Sequence, residues 1–90
     1  MAPGTIAASL TRTAEERPGA PALITPGGGL TYRELDDLSS RCAAALLSNG
    51  LRPGDRVALM VRPGIAMVVL AFGLVKSGAI PVLIDPGIGW

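Results

Sequence analysis

The eleven residues from Ile65 to Val75, Ile-Ala-Met-Val-Val-Leu-Ala-Phe-Gly-Leu-Val, carry no polar side chain. Arg62-Pro63-Gly64 precedes them and Lys76-Ser77-Gly78 follows. A helix that is apolar all round has no face to give to water, so it demands cover on every side. Continuous apolar runs of strand length flank it, Val57-Ala-Leu-Met-Val61 before and Ile80-Pro-Val-Leu-Ile84 after. Strand, helix, strand with short connections predicts a βαβ unit with parallel strands and a right-handed crossover. Strands apolar on both faces belong inside a sheet with helices on each side. Pro81 falls near the start of its strand, where a missing N–H is tolerated.

The preceding residues offer limited cover. Ile6, Leu10 and Ala14 recur every four residues, with Ala7 beside them and Arg12, Glu15, Glu16 and Arg17 off that stripe. This is an amphipathic helix, stopped by Pro18-Gly19. Pro21-Ala-Leu-Ile-Thr25 and Leu30-Thr-Tyr32 flank the turn Pro26-Gly27-Gly28-Gly29 and predict a short hairpin. Thr31-Tyr-Arg-Glu34 has the form of a capping box, in which hydroxyl and carboxylate each satisfy a backbone N–H of the other residue. The helix behind it presents Leu35, Leu38, Cys42, Ala45 and Leu46 on one face and closes near Asn49-Gly50.

Two amphipathic helices and a hairpin are too little to enclose a two-faced parallel sheet and an all-apolar helix. Hydrophobic residues make up 49% of the 90 residues, high for a small domain with its large surface-to-volume ratio. Each large side chain left in water forfeits about 1.5–3 kcal/mol of burial, against a net stability of about 5–15 kcal/mol for a domain. The expectation is therefore a piece of a larger domain, with no complete domain in residues 1–90. Its core is expected to draw on Leu35, Leu38, Leu46, Leu59, Val61, Leu70, Phe72, Val82 and Ile84, with Met60 and Met67 as core filler. The alternatives are an interaction module that hides its apolar surface by self-association and a membrane peptide. A membrane span is disfavoured, because the apolar helix is half the length of about 20 residues that a bilayer requires. Extending it either way buries Arg62 or Lys76 in hydrocarbon.

Charge and composition exclude several chemistries. Eight basic and seven acidic residues are scattered, and the only aromatics are Tyr32, Phe72 and Trp90, so no nucleic-acid footprint is present. There is no histidine and one cysteine, Cys42. A disulfide within the chain, a cysteine-only metal site and a Ser/His or Cys/His nucleophile pair are thereby excluded. Residues Met1 to Arg17 lack the basic start and apolar core of a secretory signal, which makes the cytoplasm the default location.

A few residues invite a functional reading. Pro26-Gly27-Gly28-Gly29 lacks the lysine and hydroxyl of a phosphate loop and precedes a strand, so a plain turn is preferred. Gly64, between a strand end and a helix start, occupies a place where anions bind in α/β proteins, but Arg62-Pro-Gly is no glycine fingerprint. Asp85 follows a strand end, where catalytic carboxylates occur, yet Asp-Pro-Gly is first a turn former. Cys42 reads as a small core residue. Lys76 suits the C-terminal end of a helix dipole.

Three stretches carry a resemblance. Leu30-Thr-Tyr-Arg-Glu-Leu35, Gly50-Leu-Arg-Pro-Gly-Asp-Arg-Val57 and Leu74-Val-Lys-Ser-Gly-Ala-Ile-Pro-Val-Leu-Ile-Asp-Pro86 resemble, in order and spacing, early signatures of the adenylate-forming (AMP-binding) superfamily. That superfamily includes acyl-CoA synthetases, luciferases and the adenylation domains of peptide synthetases. Ile80-Pro-Val-Leu-Ile84 is more similar to fatty-acyl ligases than to peptide-synthetase domains, and Asp85-Pro-Gly-Ile-Gly89 resembles β-lactone synthetases of olefin biosynthesis. The resemblance implies an α/β fold, the N-terminal piece of the large domain: two helices, a hairpin and one right-handed βαβ unit. It implies activation of a carboxylate with ATP and Mg²⁺, followed by transfer to coenzyme A, another thiol or an internal hydroxyl. The partner it implies is the remainder of the adenylation domain. The superfamily's phosphate loop, magnesium-associated glutamate, ribose-binding aspartate and C-terminal lysine have no match in residues 1–90, so no catalytic, cofactor-binding or metal-binding residue is carried over.

Overall fold

A computed structural model describes residues 3–60, 62 and 64–84. The first element, α1 (Pro3–Glu16), opens with a proline, which is tolerated where helical N–H groups have no partner anyway. It ends before Pro18, since the residue ahead of a proline is pushed out of the helical region. Leu10 and Ala14 are buried, while Ile6 is left partly in water.

Strands β1 (Pro21–Thr25) and β2 (Gly28–Thr31) form the antiparallel hairpin, paired from Thr25↔Gly28 to Pro21↔Thr31 with an irregularity between Pro21 and Leu23. Helix α2 (Tyr32–Ser48) starts directly from the hairpin, so Tyr32 opens the helix instead of closing the strand. Its first three N–H groups are all satisfied. Tyr32 donates to Ala20 O, Arg33 to Pro18 O and Glu34 to Thr31 Oγ1. The capping box is completed by Thr31 N–H donating to Glu34 Oε1 at 2.9 Å, so turn, hairpin and helix start form one hydrogen-bonded unit.

Helix α2 and helix α3 (Ile65–Lys76) terminate alike. After α2, Gly50 N–H reaches Leu47 O and Leu51 N–H reaches Leu46 O; after α3, Gly78 N–H reaches Val75 O and Ala79 N–H reaches Leu74 O. This closure needs a left-handed residue, and Gly50 (φ 102°) and Gly78 (φ 85°) supply it without the clash a Cβ brings.

Strand β3 (Arg56–Leu59) and strand β4 (Ile80–Leu83) flank α3 and pair in parallel, Arg56↔Ile80 through Leu59↔Leu83. The pair is aligned from outside the ladder: Gly54 N–H donates to Gly78 O, Ile80 N–H to Asp55 O and Ile84 N–H to Leu59 O. Leu59, Leu74 and Ala79 form the buried cluster, with Leu46, Leu51, Val57, Leu70 and Ala71 packed around it.

Burial departs from expectation at particular residues. Leu35 and Leu59 are buried, and Leu46, Leu70, Phe72 and Ile84 are half-buried, but Leu38, Met60 and Val82 are 38%, 59% and 43% exposed. Val61 and Asp85 lie outside the described residues. The inner side of α2 runs through Leu35, Ser39 and Ala43, not through Leu38 and Ala45. Small side chains face α3 because the two helices approach closely there; a Cβ on Gly73 would stand 2.8 Å from Cys42 Sγ and 3.3 Å from Ser39 O. Met60 and Val82 are exposed for another reason. They belong to the face of the strand pair opposite α3, which no described element covers.

Candidate functional site

Two features stand apart from ordinary packing. One is a polar clamp between helices. Lys76, at the end of α3, directs its ammonium at Asp36 O (2.8 Å), Asp36 Oδ1 (2.6 Å) and Ser40 Oγ (2.8 Å). Thr11 Oγ1 of α1 donates to the same Asp36 oxygen at 3.3 Å. One carboxylate thus joins all three helices. The Lys76 side chain is only 11% exposed, and three acceptors match the three N–H groups of an ammonium. The lysine is therefore far more than a complement to the helix dipole.

The other feature is the bare side of the parallel pair. Partners in register point to the same face, so Val57, Leu59, Pro81 and Leu83 share the α3 side. Arg56, Ala58, Ile80 and Val82 share the opposite side, and Met60 continues it beyond the end of β3. Ile80 is 42% exposed, comparable with Val82. Leu83, at the far end of β4, is also exposed. A parallel sheet normally buries both faces; here one is buried.

Pro26-Gly27 is a tight hairpin turn and Gly28-Gly29 belongs to β2. Gly64 caps α3 with extended backbone and no side-chain hydrogen bond. The fold brings this turn and Gly64 together, with Leu23, Thr25, Ile65, Met67 and Val68, around an open groove of ≈ 590 Å³. Among the described residues Thr25 contributes the sole polar side chain of that lining, and its hydroxyl already donates to Gly28 O at 2.6 Å. Cys42 is half-buried against Gly73.

A nucleotide–magnesium site needs carboxylates facing the cation and N–H groups converging on phosphate. Asp36 is occupied by Lys76, and Asp37 pairs with Arg41 at 3.3 Å. Among the described residues no three of His, Cys, Asp or Glu are grouped to hold a metal. The described residues do not fit that group. Glu34 is held below the usual carboxyl range, first by the Thr31 backbone N–H and then by the Thr31 hydroxyl.

The model of the family described as AMP-binding enzyme matches residues 10–89. The chain belongs to that family. As an AMP-binding family member it is 46% identical, over 94 residues, to the olefin beta-lactone synthetase of Xanthomonas campestris pv. campestris, covering 92% of this chain and 17% of that protein. The N-terminal subdomain of Klebsiella oxytoca NpsA superposes with a TM-score of 0.89 at 28% identity, covering 93% of this chain and 22% of the other. A Mycobacterium tuberculosis fatty acyl CoA synthetase superposes with a TM-score of 0.85 at 32% identity, covering 92% and 17%. The α/β fold is thus that of the N-terminal part of adenylate-forming enzymes, and the chain spans less than a quarter of each of these relatives. No helix among the described residues is long and apolar enough to cross a membrane.

Proposed function

We propose that this chain serves as N-terminal scaffold in the large domain of an ATP-dependent acyl-activating ligase of the fatty-acyl type. The observation that carries this reading is the bare apolar side of the β3–β4 pair in a chain of this family. Exposed Met60, Ile80 and Val82 on that side are costly in water and useful against further protein.

The reaction of such a ligase follows from the poor electrophilicity of a carboxylate. ATP converts it to an acyl-adenylate with release of pyrophosphate, and a thiol or an internal hydroxyl then displaces AMP. ATP, Mg²⁺ and, for a thioester product, coenzyme A are bound elsewhere in the domain, since residues 1–90 contribute no catalytic, cofactor-binding or metal-binding side chain in this reading. Similarity to an olefin beta-lactone synthetase favours a fatty-acyl substrate and an internal hydroxyl as acceptor. The cytoplasm is the location that suits consumption of ATP.

The test has two arms. The purified 90-residue chain is expected to show no carboxylate-dependent ATP–pyrophosphate exchange. Grafted in place of the matching N-terminal segment of the Xanthomonas relative, it is expected to support exchange. Exchange by the isolated chain, or a graft that folds but is inert, overturns the scaffold reading. The same exposed side chains favour a second reading, a self-associating module without enzymatic activity; a discrete, cooperatively melting dimer in sedimentation selects it.

A further inference from the structure

We draw no further inference here: the strongest candidate, the open groove of ≈ 590 Å³ between the hairpin turn at Pro26-Gly27 and the start of α3 at Gly64, is an apolar surface with nothing in the structure to show what covers it.

Discussion

The Lys76 ammonium lies 2.6 Å from Asp36 Oδ1, across forty residues of sequence, and the same Asp36 also accepts through its backbone carbonyl. The pair joins the last turn of α3 to the first turns of α2, and the Thr11 hydroxyl extends it to α1. Side-chain exposures of 11% and 28% place it between a surface ion pair and a buried one.

Removing the cation leaves a half-buried carboxylate with only a weak hydroxyl partner. Lys76→Met is expected to destabilise the chain by about 1.5–3 kcal/mol, the range for hydrogen bonds to charged groups. Lys76→Arg is expected to restore little, since a planar guanidinium does not match three acceptors converging on one nitrogen. Urea unfolding of the three proteins checks both statements, and an unchanged midpoint for Lys76→Met contradicts the clamp.

Gly73 is where α3 meets α2 most closely. In Gly73→Ala the new Cβ meets Cys42 Sγ at 2.8 Å and Cys42 Cβ at 2.9 Å. Overpacking of this kind costs about 1–3 kcal/mol, opposed by about 1 kcal/mol from alanine's better helix propensity. A net loss of up to roughly 2 kcal/mol is expected. Cys42→Ala removes the sulfur but not its Cβ, so the double variant is expected to recover only part. Full additivity in a double-mutant cycle would show that the two positions are not in contact.

Acid should loosen the start of α2. Glu34 is a stronger acid than its ordinary 4.5 because its carboxylate accepts the Thr31 N–H. A carboxyl lowered by folding contributes stability above its unfolded value and loses it as pH falls through the lower folded value. The Thr31 amide proton resonance is expected to follow that titration in NMR. In Glu34→Ala the step disappears. A Glu34 midpoint at or above 4.5 contradicts the capping box.

Two glycines of the hairpin should behave oppositely. A Cβ on Gly29 runs into the Leu23 carbonyl oxygen, whereas one on Gly27 meets nothing within 4 Å. Gly29→Ala is expected to cost about 1–3 kcal/mol, with the cross-strand pairing of Ile24 displaced. Gly27→Ala should stay within about 0.5 kcal/mol, as exposed substitutions away from special contacts usually do. Thermal melts of the two variants give the comparison.

The order of elements, the capping box at Thr31 and Glu34, and the helix ends at Gly50 and Gly78 were legible in the residues themselves. Each is written by neighbours a few positions apart: a four-residue apolar spacing, a hydroxyl three residues before a carboxylate, a glycine where only a left-handed turn closes a helix. The motifs around Leu30–Leu35 and Leu74–Pro86 carried the family in the same local way.

Which face each apolar residue turned to was decided in three dimensions. Leu38 and Val82 are as hydrophobic as Leu35 and Leu59, but they point where the described residues leave them partly in water. Ser39 is fully buried because α2 and α3 meet there through small groups, and Lys76 is a three-helix clamp only because folding brings Asp36 to it. Local spacing sets periodicity and chain reversal. Which element stands opposite which depends on contacts between residues far apart in sequence, and no local spacing encodes that.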